Sequence, residues 1–430
     1  MKKILGAGIF ALSLLGLTAC GGNSGSQGDE VEIQYWHMNV EEERVEVIKD
    51  IIAGFEEENP GITVKQVPIV EGDYPTKISA ALGANQMPAL LEAGVDTSLL
   101  LGEEEVVETG IHEDIINDFG KDDFFQGTLD LVESPAGDGY YGVPFYGWVQ
   151  GVWYRKDIFE ANGLEAPNTW ENILTAAKTL HDPDNKKYGI VIGTQQDEFA
   201  EQVFSQFALS NNANVFDSDG NVSFDSPAMI EALEYYKDLA ELTPPGAETW
   251  REAKDLYLAE NTSMVMYSSY LMGALVDADL ANETGFATPE NLQPATFGQI
   301  TSLTIPNTVS DEEKEAAKKF VNYVLEEENY IKYLHMSPGG QNPTRASIAE
   351  APEYVDNEVL NAYGEESAVI ASGLENLQRF GFQDGILYPS MGDISAKLIV
   401  GEAIFNMTQQ DASPKEVAEK AQQKMEDTVN

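Results

Sequence analysis

Val31-Glu32-Ile33-Gln34-Tyr35-Trp36-His37, then Ile48, Ile51, Ile52 and Phe55, then Asn59-Pro60-Gly61-Ile62-Thr63-Val64: this stretch decides the fold class. In its first part Val31, Ile33 and Tyr35 alternate with polar residues, the period of a strand with one covered face. The next four apolar residues recur at i, i+3, i+4 and i+7, which places them on one side of a helix. Asn59-Pro60-Gly61 stops that helix, and Ile62 and Val64 resume the alternation. The pattern is a βαβ unit. Helical stretches and short apolar runs alternate through most of the chain, so the class is α/β. The chain has 430 residues, enough for a large core and, on length alone, two domains. No internal repeat is visible.

The N-terminus reads separately. Lys2 and Lys3 precede an apolar or small run from Ile4 to Leu17, and Leu17-Thr18-Ala19-Cys20 follows, holding the only cysteine. The run is too short to span a bilayer comfortably and long enough for the core of a signal peptide. It resembles a bacterial lipoprotein signal. That likeness implies cleavage after residue 19, a diacylglycerol on the Cys20 thiol and acylation, such as palmitate, of the new N-terminus. Residues 20–30 continue as a Gly, Ser and polar tether. The expected location is the extracellular face of the cytoplasmic membrane, with the lipid as the only membrane attachment. No later run is apolar enough for a transmembrane helix, and one cysteine allows no intrachain disulfide.

Asp and Glu number 73 against 25 Lys and Arg, giving a net charge of −48. Loss of residues 1–19 makes it about −50. Nucleic acid is excluded as a partner, because phosphate binding needs basic patches. The acids are dispersed, as on a solvated, halophilic type of surface where salt screens self-repulsion. Asp182-Pro183-Asp184-Asn185 and Asp217-Ser218-Asp219-Gly220-Asn221 lack the spacing of a calcium loop and read as turns. His37, His112, His181 and His335 show no metal-ligand spacing. No nucleophile motif or phosphate loop is present. The expectation is a non-enzyme with no metal and no cofactor.

Further segments point to a family. Tyr35-Trp36-His37-Met38, Gly139-Tyr140-Tyr141-Gly142-Val143-Pro144, Trp153-Tyr154-Arg155-Lys156-Asp157-Ile158-Phe159, Pro167-Asn168-Thr169-Trp170-Glu171, Met264-Val265-Met266-Tyr267, Leu303-Thr304-Ile305-Pro306 and Gly340-Gln341-Asn342-Pro343-Thr344-Arg345 stand in order over about 390 residues. Together they resemble the family 1 extracellular solute-binding proteins, the receptors of carbohydrate ABC importers. The resemblance implies a two-lobed periplasmic-binding-protein-like fold with a hinge and an interlobe cleft. Lobe 1 would comprise 31–145 plus 299–338, lobe 2 152–298 plus 346–430, with hinge crossings at 146–151 and 339–345. Gly147, Gly151, Gly298, Gly339 and Gly340 fall at or near the crossings as candidate pivots. The implied partners are a mono- or oligosaccharide and ABC permease subunits, and the implied state is a monomer.

Sugars offer apolar faces to aromatic rings and hydroxyls to polar side chains. Within the resemblance the candidate ligand residues are Trp36 and His37 at the end of the first strand, and Asp96 after Glu92-Ala93-Gly94-Val95. Tyr146 and Trp148 share parity on the first crossing and so point the same way. Phe199 (or Gln196), Tyr267, Tyr270, Arg345 and Asp393 complete the set. Two alternatives stay open: a compatible solute or other small polar molecule in the same fold, for which Tyr146, Trp148, Tyr267 and Tyr270 could cage a quaternary ammonium, and an extracellular glycoside hydrolase.

Overall fold

The computed structural model describes residues 30–383 and 386–429. Residues 1–29, on which the expected signal peptide, Cys20 and most of the expected tether fall, lie outside the described residues. Among those described, no helix is long and apolar enough to cross a membrane.

Eight strands form one sheet: β1 (Val31–His37), β2 (Ile62–Pro68), β3 (Leu90–Gly94), β4 (Val143–Arg155), β5 (Met264–Ser268), β6 (Thr284–Ala287), β7 (Gly298–Thr304) and β8 (Asn342–Pro343). Their order is β2-β1-β3-β7-β4-β5, with β6 and β8 also on β4. β1 and β2 run parallel in register from Val31↔Ile62 to His37↔Pro68. The intervening helix, Glu42–Glu58, buries Ile48, Ile51, Ile52 and Phe55, the four residues whose spacing predicts it. Phe55 packs between Phe320 and Tyr323, with ring centroids 5.1 and 5.6 Å away. Those partners sit on Asp311–Leu325, a helix opened by a reciprocal Ser310–Glu313 cap. The chain thus returns late in its course to cover the first βαβ unit.

β4 runs through both halves of the sheet. Its 13 residues span about 40 Å of extended backbone. Val143–Val149 pair with β7, and Gln150–Tyr154 pair with β5. Helices Lys156–Asn162 and Glu366–Ser372 pack on β4, and beyond them Ile399–Gln409 packs on Glu198–Ser210 and Pro414–Val429 on Pro227–Ala240. Arg155 at the end of β4 ties this region together. It bonds Asp157 at 3.0 Å, Glu260 at 2.5 Å and Glu283 at 2.7 Å.

The glycines expected as pivots divide. Gly147, Gly151 and Gly298 lie inside paired strands. A Cβ on Gly298 would run into the Trp148 carbonyl, so close backbone approach accounts for that glycine. Gly339 alone of the five has a left-handed backbone, with φ of +79°. The two acid-rich loops fold as turns. In the second, Asp217 Oδ1 accepts from the backbone N–H groups of Asp219 and Asn221, each at 2.9 Å.

His112 pins the helix Thr109–Phe119 to the sheet. The Ile305 N–H donates to its Nε2 at 2.8 Å, so the ring proton sits on Nδ1 and is donated to the Tyr140 carbonyl, also at 2.8 Å. The ring is completely buried, and burial pushes its pKa down to about 4. The unfolded chain, with a pKa near 6.5, therefore takes up a proton that the fold refuses. This contribution is complete above about pH 6.5 and is lost as pH falls toward 4, by about 3 kcal/mol. Denaturant melts at several pH values should show a shallower acid loss in His112→Gln than in the parent. Equal slopes in the two proteins would remove His112 from this role.

Candidate functional site

In a sheet of this kind ligands sit beyond the C-terminal ends of the parallel strands. The ends of β1 and β3, the first turns of the helices that follow, and the first half of β4 with β7 enclose a cavity of about 470 Å³. Asn39, Glu41, Arg44, Glu71, Tyr74, Thr97, Gln299, Thr301 and Gln341 line it with polar groups. Tyr146, Trp148 and Tyr270 supply rings. The Trp148 ring lies 6.3 Å from Tyr270 and 5.7 Å from Phe297, centroid to centroid, forming an aromatic wall. Tyr270 is 53% exposed, and it rests on Gly340, where a Cβ would meet its ring.

A second cavity of about 190 Å³ adjoins the first at Gln299. Asp96, Glu198, Glu201, Gln202, Arg379, Phe297 and Phe380 line it. Arg379 reaches Asp96 across the cleft at 3.3 Å. Burial pushes the Glu201 carboxyl up to about 7, with Glu198 adding to the rise, while the Ser395 hydroxyl and Arg379 pull it back. Another cavity, of about 460 Å³, lies among Asp130, Asn212, Asn214, Glu375 and Gln378, with no residue from the ends of the parallel strands.

The cavity floor continues a buried polar network. Glu92 on β3 is fully buried. It accepts hydrogen bonds from the hydroxyls of Tyr35 (2.5 Å), Tyr146 (3.0 Å) and Tyr333. Burial, and then the Glu92 charge, push all three phenols well above their usual range, which keeps them protonated donors. Asn39 donates to Tyr333 Oη at 2.9 Å and accepts from Gln341 and Arg44, each at 3.4 Å.

Of the residues expected from sequence, Tyr146, Trp148 and Tyr270 come together in the larger cavity and Asp96 lies in the adjoining one. The others lie outside both linings. Trp36 is buried among Ile69, Tyr74 and Ile78, with the Lys77 ammonium 4.5 Å from its ring centroid. His37 is buried and bonds Gln66 at 3.1 Å, and burial lowers its pKa. Parity explains these two: residues at the end of a strand covered on both faces point into one layer or the other, not off its tip. Phe199 and Tyr267 are buried, 6.2 Å apart between centroids. Arg345 bonds Asp123 at 2.8 Å and stacks over Phe119. Asp393 is exposed in the first turn of Ser390–Ala396.

Sequence reading missed Asn39, Glu41, Arg44, Glu92, Glu201, Gln299, Gln341 and Arg379. Two cues were available: Asn39, Glu41 and Arg44 follow directly on β1, where α/β sheets hold ligands, and Glu92 is a charge inside the apolar run Leu90-Leu91-Glu92-Ala93. Glu92→Leu leaves three buried hydroxyls without their acceptor, each worth about 1–3 kcal/mol. Denaturant unfolding should show a loss of at least about 2 kcal/mol. A variant as stable as the parent would mean that the phenols find other acceptors.

Residues 39–331 match the bacterial extracellular solute-binding protein family. YcjN of Escherichia coli (strain K12), which carries the name of an ABC transporter periplasmic-binding protein, is 36% identical over 419 residues, covering 97% of each chain. The arabinooligosaccharide-binding protein of Halalkalibacterium halodurans is 24% identical over 366 residues, 79% of this chain and 78% of that one. Among solved structures, the sugar-binding protein MalE of Xanthomonas citri superposes with a TM-score of 0.75 at 19% identity, covering 93% of this chain and 97% of its own. The two-lobed α/β fold, the cleft at the strand ends and the match across most of the chain agree: this protein belongs to the bacterial extracellular solute-binding proteins, the binding components of ABC importers and not enzymes.

Proposed function

We propose that this protein captures a carbohydrate, a mono- or oligosaccharide, between its lobes and delivers it to ABC permease subunits. It acts as a monomer held by a lipid on Cys20 at the outer face of the cytoplasmic membrane. We assign lobe 1 to 31–145 plus 299–338 and lobe 2 to 152–298 plus 346–430, with crossings at 146–151 and 339–345.

The observation that carries the ligand reading is the pair of rings Trp148 and Tyr270 beside amides, hydroxyls and carboxylates. Rings cover the C–H faces of a sugar and the polar groups take its hydroxyls. The names of the arabinooligosaccharide-binding and MalE relatives support the same class. A phosphate ligand is disfavoured, because each cation in the cleft already faces an acid: Arg44 lies 3.6 Å from Glu41, and Arg379 lies 3.3 Å from Asp96. A four-ring cage for an ammonium is disfavoured too. Tyr267 is buried outside the cavity, and the Tyr146 hydroxyl is held by Glu92.

Thermal melts of the purified protein across a panel of sugars, polyols and betaine test the ligand class. A ligand at 100 times its Kd adds about 2.7 kcal/mol of stability. For a sugar so found, calorimetry on Trp148→Ala and Tyr270→Ala should show binding weakened by about 1–4 kcal/mol. Unliganded stability of the Tyr270 variant should stay close to the parent's, because half of that ring is already in water. Unchanged affinity in both variants would sink this map of the site.

Membrane attachment has its own test. Lipid attachment needs the Cys20 thiol, so Cys20→Ala should appear in the soluble fraction after cell fractionation. A Cys20→Ala protein that stays on membranes through a high-salt wash would overturn the anchor.

A further inference from the structure

The smaller cavity holds two buried polar atoms that the protein leaves open. Glu201 Oε1 accepts from the Ser395 hydroxyl at 2.5 Å, but Oε2 has no hydrogen-bond partner. Arg379 Nη2 donates to Asp96 Oδ2 at 3.5 Å, but Nη1 has no hydrogen-bond partner; it lies 3.3 Å from Asp96 Oδ1 without the alignment of a hydrogen bond. Buried polar groups are almost always satisfied, and an open acceptor and an open donor lining one cavity need an explanation. Both side chains are held in place. Glu201 sits on the helix Glu198–Ser210, whose N-terminus is capped by Asp197. Arg379 is flanked by backbone bonds from Gln378 N–H to the Thr296 carbonyl at 3.0 Å and from Gly381 N–H to Asn214 Oδ1 at 3.0 Å.

One ligand group that answers both atoms must donate and accept at the same time. A hydroxyl does so: its proton goes to Glu201 Oε2 and its lone pair takes the Arg379 N–H. An ammonium could serve Glu201 but would face the guanidinium. A phosphate or carboxylate could serve Arg379 but would meet the carboxylates of Asp96 and Glu198. The cavity therefore selects a neutral hydroxylated unit, and Phe297 and Phe380 offer it apolar walls. Gln299 lines both cavities, so one molecule can reach from the aromatic wall into the smaller space.

We propose that the smaller cavity is a subsite for a second sugar unit, in which Glu201 and Arg379 read one hydroxyl, so that the preferred ligand is at least a disaccharide lying along both cavities. This rests on the carbohydrate reading above and narrows it.

The test compares matched ligands by calorimetry: glucose with maltose and cellobiose, xylose with xylobiose, and arabinose with arabinobiose. The parent protein should prefer a disaccharide over its monosaccharide. Glu201→Gln and Arg379→Gln should each weaken that disaccharide about 10- to 100-fold, the worth of a hydrogen bond to a charged group, and change the monosaccharide by less than about 2-fold. Thermal melts establish that each variant is folded, and if one is not, the other carries the test. Equal affinity of the parent for mono- and disaccharide overturns the subsite. So does an equal loss, or no loss, for both ligands in the variants; in either case the carbohydrate reading stands. A parent protein that binds none of these sugars overturns both.

Discussion

Glu92 is a carboxylate shut inside a strand of apolar residues, and three phenols answer it: Tyr35 from β1, Tyr146 from β4 and Tyr333 from the helix Glu327–Leu334. A buried charge is tolerated only where its lone pairs are filled, since removal from water otherwise costs several kcal/mol. Satisfying this one group therefore brings together the first strand, the strand that runs through both halves of the sheet and a helix placed nearly 300 residues later in the chain. Tyr333 in turn takes the Asn39 amide, which meets Gln341 and Arg44 at the cavity. The polar floor of the cleft is the outer end of a network whose inner end is compulsory. Those bonds hold the floor in place from within the sheet.

β4 has the complementary role. One unbroken strand bonds to β7 in its first half and to β5 and β6 in its second, so the two parts of the sheet share a backbone ladder. Its bulge at Pro144/Tyr146 falls where the Tyr146 side chain must reach both Glu92 and the cavity. Bulges re-aim a side chain and increase local twist, and here the re-aimed residue is the one that links the buried network to the ligand space. Trp148, two residues on, shares its direction and carries the aromatic wall.

The fold was legible where it depends on period. The alternation at Val31–Tyr35, the helical spacing of Ile48 to Phe55 and the stop at Asn59-Pro60-Gly61 each correspond to an observed element. The site was legible only in part, because period says which residues share a face but not which face looks into the cleft. Tyr146 and Trp148 were read by parity on one strand, and they do line the cavity. Trp36 and His37 were read by proximity to a strand end, and both are buried by layers that cover β1 on its two sides. Arg345 stood out as a basic residue in a glycine- and proline-rich motif, yet its guanidinium is consumed by Asp123. Glu201 and Arg379 lie 178 positions apart, so no local pattern announces their meeting; long-range packing brings it about.

In a chain so rich in acid, the informative charges are the few positive ones. Arg155 closes three carboxylates at the end of β4, and Arg345 anchors the 123 and 347 region. Both are structural, with their donors turned onto acids and away from the cleft. Arg44 and Arg379 differ in place: each lines a cavity and each meets an acid loosely, at 3.6 and 3.3 Å. Each commits one hydrogen bond, Arg44 to Asn39 at 3.4 Å and Arg379 to Asp96 at 3.5 Å, and keeps other N–H donors for a ligand. An anionic ligand gains little there, because the neighbouring acids repel it. A cationic ligand gains little, because the guanidinium is already present. A neutral ligand with many hydroxyls gains from both partners, since each hydroxyl can donate to the acid and accept from the arginine in one place.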